Sequence, residues 1–180
     1  MSRVLIIAAS KSDVEVMKKT AAALEKSGVK ITLRVCSAHR TPEMLDKILK
    51  EAKNGEGYFA VIAGAGLAAA LPGVVAAKTL LPVIGVPLTG AFDGLDAMLS
   101  IIQMPPGIPV LTTGVNNAEE AALAAELIAK NKMKRINIVD KGKSQKALGK
   151  ATEALKELGI EYSLGDEALE TAINICFTGI

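Results

Sequence analysis

Residues 3–36 decide the fold, and they read RVLIIAASKSDVEVMKKTAAALEKSGVKITLRVC. Two apolar runs, residues 3–8 and 30–36, flank a segment that begins at Asp13 and ends before Gly28. An aspartate is a common helix N-cap and a glycine a common helix stop, so the middle segment, residues 13–27, is predicted to be a helix. The predicted strands of the chain are largely continuous apolar runs rather than alternating ones, which is typical of strands covered on both faces of a parallel sheet.

The rest of the chain repeats this alternation of strand and helix. Further strands are predicted at residues 58–63, 82–86, 108–113 and 135–139. Further helices are predicted at residues 41–53, 68–79, 94–103, 117–131 and 144–158. Thr41 and Asn117 stand where helices should begin, and Gly159 stands where one should end. The expected fold class is flavodoxin-like α/β, a three-layer α/β/α sandwich around a doubly wound parallel sheet.

We expect residues 1–131 to form the α/β core, and residues 132–180 to add a βα unit that continues the same domain. Residues 135–164 resemble residues 3–33: a strand, a Lys-Ser turn, a helix, a glycine that ends it and the next strand. Two interpretations stay open, a partial duplication that lost its active-site copy or the general likeness of any two βαβ units. No second site is expected, because Gln145 replaces the aspartate of the first copy.

Composition excludes several classes of function. The formal net charge is +2 and evenly spread, which argues against a nucleic-acid partner. The most apolar stretch, residues 58–77, is interrupted by glycines and by Pro72, so no membrane span is expected. The N-terminus enters a strand directly and does not resemble a signal peptide. With one histidine and two distant cysteines, Cys36 and Cys176, no metal site is expected, and both cysteines are predicted to be buried thiols in a reducing cytoplasm.

Ligands bind beyond the carboxyl ends of the strands in a parallel sheet, so chemistry is expected in the residues that follow each strand. Residues 8–13, AASKSD, follow the first strand. They offer small side chains, two hydroxyl groups and the free N–H groups of a helix N-terminus, which together suit a phosphate. In the alternative interpretation, the serines and the aspartate only cap the helix.

The second strand is followed by residues 37–42, SAHRTP, which hold the only histidine of the chain. Thr41 and Pro42 are explained by the start of a helix, whereas His39 and Arg40 are not. An imidazole can take and return a proton near neutral pH, and an arginine fork binds phosphate or carboxylate at two points. The alternative is that both are solvated polar side chains in a loop.

The third and fourth strands are followed by different kinds of loop. Residues 64–73, GAGLAAALPG, lack the glycine spacing of a dinucleotide-binding motif. A segment with such small side chains suits either a planar ligand packed against the backbone or a tight contact between helices of two subunits. Residues 87–96, PLTGAFDGLD, follow the fourth strand and are expected to form a mobile cover.

Taken together, these loops resemble the N5-carboxyaminoimidazole ribonucleotide mutases, the class I branch of the aminoimidazole ribonucleotide carboxylases of purine biosynthesis. The family motifs occur here in order as ASKSD, SAHRTP, AGAGLAAALPG, LPVIGVP and GLDAMLSIIQMPPGIPV, at residues 9–13, 37–42, 63–73, 81–87 and 94–110. These motifs depart from the family pattern at three positions, and residues 132–180 also depart from the usual short helical tail. Ala9 and Leu67 each replace a glycine, and Ala70 replaces a second histidine.

The resemblance implies a reaction that moves a carboxylate from the exocyclic amine of an imidazole to its C4 carbon through trapped CO2, without a metal or an organic cofactor. His39 is then the general acid and base. Arg40 is expected to hold the phosphate, and Asp13 the ribose. The expected substrate-binding residues are Ser10, Ser12, Asp13, Ser37, Ala38, Arg40, Gly64, Ala65, Gly66 and Leu71.

The resemblance also implies a cytoplasmic homo-octamer whose partners are the ribonucleotide and CO2, with no nucleic acid and no membrane. The mean hydropathy of +0.35 agrees with heavy burial by assembly. Two alternatives from the same family are direct carboxylation of aminoimidazole ribonucleotide with CO2 and a ribonucleotide binder impaired by Ala70. A receiver-type signalling domain is disfavoured, because the third strand ends in AGAG and not in an aspartate.

Overall fold

The computed structural model describes residues 3–54, 57–130, 136–140, 145–157, 162–165 and 173–177. They divide into two compact units, Met1–Lys130 and Asn131–Ile180. The strands of the first unit are β1 (Arg3–Ala8), β2 (Lys30–Val35), β3 (Tyr58–Gly66), β4 (Val83–Leu88) and β5 (Leu111–Thr112). Its helices are α1 (Val14–Lys26), α2 (Pro42–Asn54), α3 (Leu71–Ala76), α4 (Leu95–Ile102) and α5 (Ala118–Lys130).

The five strands of the first unit form one parallel sheet in the order β2-β1-β3-β4-β5. The chain moves outward from β1 to β2 and then crosses back to β3 and outward to β5. This reversal beside β1 is the topological switch point of a flavodoxin-like sheet. The predicted fold class is therefore confirmed for this unit.

The apolar runs of β1, β3 and β4 are continuous because helices cover both faces of the sheet, whereas the edge strand β2 alternates and has no fully buried residue. Alternate residues of β1 enter different cores: Leu5 and Ile7 pack with α2, α3 and α4, whereas Val4 and Ile6 pack with α1 and α5. All four side chains are buried. The aliphatic, aromatic-poor composition thus fills two thin layers, one on each side of the strands.

Three predicted elements differ from the structure by three residues at one end or both, whereas the others differ by at most two. β3 continues to Gly66, because its small residues pair on both sides with β1 and β4. α3 is shorter than predicted and begins at Leu71, with Pro72 in its first turn, where the missing N–H costs nothing. β5 has two residues and not six; Pro109 precedes it and has no N–H to donate to a ladder.

α1 ends as predicted at a left-handed glycine. Gly28 has φ 75°, and the N–H of Val29 donates to the carbonyl of Leu24 at 3.0 Å. This is the bond pattern of a Schellman motif, which closes the helix and turns the chain into β2. Asn117, which was predicted to stand at the start of a helix, directly precedes α5. The predicted stop at Gly159 lies outside the described residues.

The second unit contains β6 (Ile136–Asp140), α6 (Gln145–Glu157), β7 (Tyr162–Gly165) and β8 (Ile173–Phe177). Its three strands are parallel, in the order β7-β6-β8. The predicted strand and helix are present as β6 and α6, whereas β8 was not predicted. Within the described residues, Ile138 and Leu155 form the buried centre of this unit. That residues 132–180 belong to the same domain stays a prediction.

None of the helices in the described part of the chain is both long and apolar enough to cross a bilayer.

The two helices on one face of the sheet are joined by a buried hydrogen bond. The hydroxyl of Thr20 in α1 donates to the carbonyl of Ala118, the first residue of α5, at 2.7 Å. We expect Thr20→Val to lower the free energy of unfolding by about 1 kcal/mol, because the hydrogen bond is lost from a dry position. Chemical denaturation of the whole chain measures this change.

The matched control is Thr113→Val, since the hydroxyl of Thr113 donates to Gly114 where water can replace it. Its effect should stay within about 0.5 kcal/mol. Equal effects of the two substitutions would contradict the role given to Thr20.

Candidate active site

The carboxyl ends of β1, β2 and β3 lie side by side. Ala8 is in register with Val35 of β2 and with Gly64 of β3. Backbone bonds continue the pairing past the end of β1: Cys36 N–H donates to Ala8 O, and Ala9 N–H donates to Gly64 O, both at 2.9 Å. The loops after β1 and β2 therefore leave the sheet from fixed neighbouring points, at the edge where ligands bind in this topology.

The loop after β1 carries a small network of side chains. The hydroxyl of Ser10 donates to Oδ2 of Asp13 at 2.7 Å, and the hydroxyl oxygens of Ser10 and Ser12 are 2.6 Å apart. A serine has one hydroxyl proton, so Ser12 is the donor to Ser10. Asp13 occupies the predicted N-cap position, yet its carboxylate makes no capping bond. The two serines and the aspartate therefore hydrogen-bond to one another, and the carboxylate of Asp13 does not cap the helix.

The loop after β2 is closed by hydrogen bonds between Ser37 and Thr41. The hydroxyl of Thr41 donates to the carbonyl of Ser37 at 3.1 Å and accepts from its N–H at 3.2 Å. The hydroxyl of Ser37 accepts from the N–H of Arg40 at 3.2 Å. His39 and Arg40 lie between these anchors with exposed side chains. A fixed backbone therefore presents the imidazole and the guanidinium to solvent.

Cys36 lies beneath this loop as a buried thiol, with its Sγ 3.5 Å from Oγ1 of Thr41. The prediction of a buried, unpaired thiol is confirmed for this residue. The side chain of Cys176 lies outside the described residues. The described part of the chain contains no group of three or more His, Cys, Asp or Glu side chains arranged to hold a metal ion.

The end of β3 presents backbone rather than side chains to the edge. A Cβ on Gly64 would lie 2.3 Å from Sδ of Met17, so a buried side chain of α1 fills the space beside this glycine. A Cβ on Gly66 would lie 3.2 Å from the carbonyl oxygen of Leu88. The predicted site residues Ala65 and Leu71 are buried in the core on the α2, α3 and α4 face, and Ala38 packs at the margin of that core.

Two residues at this edge were not singled out from the sequence. Oδ1 of Asn116 accepts from the N–H of Thr89 at 3.0 Å, and its Nδ2 donates to the hydroxyl of Thr89 at 2.5 Å. The N–H of Asn116 also donates to the carbonyl of Pro87 at 2.8 Å. These bonds tie the loop after β5 to the end of β4. The only sequence signal was an asparagine, a residue that tolerates the left-handed φ of 58° found here.

Comparison with known proteins identifies the family. A family model described as AIR carboxylase matches residues 3–148. The chain belongs to this family.

Individual relatives agree with the assignment. A protein of Methanocaldococcus jannaschii named N5-carboxyaminoimidazole ribonucleotide mutase is 45% identical over 161 residues, which cover 86% of this chain and 98% of the relative. A phosphoribosylaminoimidazole carboxylase of Candida albicans is 45% identical over 167 residues, 90% of this chain but 29% of the relative. The crystal structure of Treponema denticola PurE matches with a TM-score of 0.66 at 26% identity, covering 88% of this chain and 92% of that one.

The two departures noted in the third motif have distinct places in the structure. Ala70 is the half-buried N-cap of α3, and its carbonyl accepts from the N–H of Val74 at 3.0 Å. Its methyl group cannot transfer a proton, so His39 is the only imidazole that this chain supplies. Leu67 follows β3 directly and adopts the left-handed region, with φ 56°.

The hydroxyl of Thr41 should govern the loop that carries His39. We expect Thr41→Val to lower the free energy of unfolding by about 1 kcal/mol and kcat/KM severalfold, because the two bonds to Ser37 are lost. Thr41→Ser retains the hydroxyl and should preserve both quantities. Denaturation and steady-state kinetics measure them; a serine variant as impaired as the valine variant would refute this role.

Proposed function

We propose that this chain converts N5-carboxyaminoimidazole ribonucleotide to 4-carboxy-5-aminoimidazole ribonucleotide in purine biosynthesis, as an isomerase. The observation that carries the proposal is the single histidine, exposed in a loop that is fixed by Thr41 and Ser37. That loop leaves the sheet beside the hydroxyl and carboxylate network of the neighbouring loop. The mutase name of the M. jannaschii relative supports the same reaction.

His39 is the acid and the base of the proposed reaction. In the first step, the bond between the exocyclic nitrogen and the carboxylate carbon breaks, the imidazolium of His39 protonates the nitrogen, and CO2 is released beside aminoimidazole ribonucleotide. In the second step, C4 attacks CO2 and a carbon–carbon bond forms. The neutral imidazole then removes the C4 proton, which restores the imidazolium and closes the cycle without net uptake of a proton.

The remaining residues of the proposed site bind and orient the substrate. The Arg40 guanidinium offers two parallel donors to the phosphate, and the Ser10 and Ser12 hydroxyls add further donors. The carboxylate of Asp13 would repel a phosphate, so we assign it to the ribose hydroxyls. When the phosphate binds, Ser10 turns its hydroxyl from Asp13 to the ligand.

The carbon dioxide and the imidazole ring of the substrate are proposed to lie against the loop after β2 and the end of β3. Ser37, Ala38 and Gly66 are half-buried, and Gly66 has no side chain, so a planar ring can approach its backbone closely. Gly64 and Ala65 are buried and are proposed to support this part of the site. Leu71 contributes from the buried side, beneath this surface. Exclusion of water from this part of the site by the bound substrate would retard the escape of CO2.

Direct carboxylation of aminoimidazole ribonucleotide is the second candidate function. The carboxylase name of the Candida albicans relative favours it. The same residues would serve, because this reaction consists of the second step alone with CO2 taken from solution. A chain that binds the ribonucleotide without reacting is the third outcome, and the missing imidazole at Ala70 is its physical reason.

The decisive variant is His39→Asn, because asparagine keeps a polar side chain but cannot transfer a proton near neutral pH. We expect at least a thousandfold loss of turnover, while the variant still folds and binds the nucleotide. The assay follows the C4-carboxylated product by absorbance with N5-carboxyaminoimidazole ribonucleotide, with and without bicarbonate. The control is Lys47→Gln, an exposed position on α2, which should keep wild-type rates.

Each outcome of this assay selects one function. Product that forms without bicarbonate and disappears in His39→Asn supports the mutase. Product formed only from aminoimidazole ribonucleotide with bicarbonate supports the carboxylase. Because the chain has one histidine, its imidazole resonance in an NMR spectrum reports ligand binding at this site alone. A resonance that shifts with nucleotide, in a protein that makes no product, supports the binder.

We further propose that the enzyme is a cytoplasmic homo-octamer. The exposed side of α4 supports an assembly, because Leu95, Leu99 and Ile102 form an apolar stripe with exposed fractions of 50%, 41% and 49%. Such a stripe is costly in water and typical of a subunit interface. The buried, unpaired thiol of Cys36 agrees with a reducing compartment.

The assembly is tested with Leu99→Glu, which places a charge in the middle of the stripe. We expect light scattering to give a mass of eight chains of 18.7 kDa for the wild type and a smaller species for the variant. Lys19→Glu on the exposed side of α1 is the charge control and should leave the mass unchanged. A monomeric wild type would contradict the octamer.

A further inference from the structure

We propose that Leu67 is a positioning residue that holds the loop between β4 and α4 against the end of β3. We call residues 89–94 of this loop the cover loop. By fixing the cover loop at the carboxyl edge of the sheet, Leu67 raises the affinity of the site for its substrate. The kinetic part of this inference rests on the proposed function, whereas the contact itself does not.

The backbone and exposure of Leu67 show that core packing does not explain this leucine. Its φ of 56° lies in the left-handed region, which a branched side chain occupies only at a cost and glycine occupies freely. The side chain is 58% exposed, so burial repays little of that cost. Strain of this kind persists only where contacts with the surrounding structure enforce it.

The side chain of Leu67 touches the cover loop at Gly90. A Cβ built on Gly90 would lie 2.8 Å from Cδ2 of Leu67, 3.2 Å from its Cγ and 3.3 Å from its backbone nitrogen. The side chain of Leu67 therefore packs against the backbone of Gly90. It occupies the space that a side chain at residue 90 would need. This contact joins the loop after β3 to the loop after β4.

The cover loop needs support from outside, because its own backbone is strained. Phe92, Asp93 and Gly94 have φ values of 48°, 53° and 88° in succession, and Phe92 is 80% exposed. At its first residue, Thr89 is held by the side-chain amide of Asn116. The side chain of Val115, also from the loop after β5, fills the space beside Gly94. Leu67 supplies support from the opposite neighbour, since β3 and β5 flank β4.

The position of β3 connects this contact to the proposed site. β3 lies between β1 and β4, with Gly64 in register with Ala8 and Gly66 in register with Leu88. Leu67 is the next residue along the chain. A shift of the cover loop away from Leu67 would therefore open the edge directly beside the glycine backbone proposed to receive the planar ring.

Three substitutions of Leu67 separate the side chain from the backbone strain. Leu67→Ala removes the contact and keeps the left-handed strain, Leu67→Gly removes both, and Leu67→Met keeps an apolar side chain. We expect the alanine and glycine variants to lose kcat/KM equally, at least fivefold and chiefly through a higher KM. The glycine variant should nevertheless unfold at a higher denaturant concentration than the alanine variant, and the methionine variant should stay within twofold of wild-type kcat/KM.

Activity that follows stability would overturn the proposal. If Leu67→Gly recovers wild-type kcat/KM while Leu67→Ala does not, only backbone strain matters and the side chain positions nothing. Wild-type kinetics in both variants would also overturn it.

A double-mutant cycle with Gly90→Ala tests the contact itself. The added methyl group should impair the wild type but have a smaller effect in Leu67→Ala, where Cδ2 and Cγ are absent. Amide hydrogen exchange at residues 89–94 gives a readout without substrate and should be at least tenfold faster in Leu67→Ala. If the wild type makes no product, the proposed function fails, but amide hydrogen exchange still shows whether Leu67 holds the cover loop. Additive effects of the two substitutions and unchanged exchange would overturn it.

Discussion

The register between the ends of β1, β2 and β3 is the constraint on which the candidate site depends. Two backbone hydrogen bonds, Cys36 N–H to Ala8 O and Ala9 N–H to Gly64 O, extend the sheet by one step beyond β1. They set the starting points of the loops that carry Ser10 and His39. The buried side chain of Met17 fills the space beside Gly64 and brings α1 close to the end of β3. The positions of the polar loops after β1 and β2 thus depend on the apolar packing of the sheet and of α1 beneath them.

In both loops, the residue directly before the helix forms a side-chain hydrogen bond within the loop. Asp13 and Thr41 immediately precede α1 and α2, yet the side chain of Asp13 bonds to Ser10 and that of Thr41 to Ser37. Each of these bonds joins two residues of the same loop and so closes that loop. The arrangement fixes the loop backbone and leaves exposed side chains free for a ligand, which is the preorganisation that a binding site requires.

The sequence predicts the architecture well because its strongest signals are physical requirements of that architecture. A run such as residues 3–8 has no polar face, so it must be covered on both sides, and a parallel sheet between helices follows. The bounds of β3 were harder to predict, since glycines weaken strand propensity while pairing with two neighbours extends the strand. The pairing of β6 with β7 and β8 in a second sheet depends on long-range contacts that no local pattern encodes.

The sequence indicated individual residues of the candidate site, but it did not indicate the contacts between its loops. The unexplained His39 and Arg40 stood out, because helix capping accounts for Thr41 and Pro42 alone. The bonds of Asn116 to Thr89 and the contact of Leu67 with Gly90 join residues from different loops. Such contacts are fixed by the positions of the strands, so residue spacing along the chain gives no indication of them.

We propose that CO2 passes from nitrogen to C4 without leaving the site. This proposal is tested most directly with N5-carboxyaminoimidazole ribonucleotide labelled with carbon-13 in its carboxylate, in the presence of excess unlabelled bicarbonate. We predict that the product formed by the wild type retains the label at its C4 carboxylate, because the released CO2 is captured before it escapes. Product that carries the unlabelled carbon of bicarbonate would contradict the account and show that CO2 enters from solution.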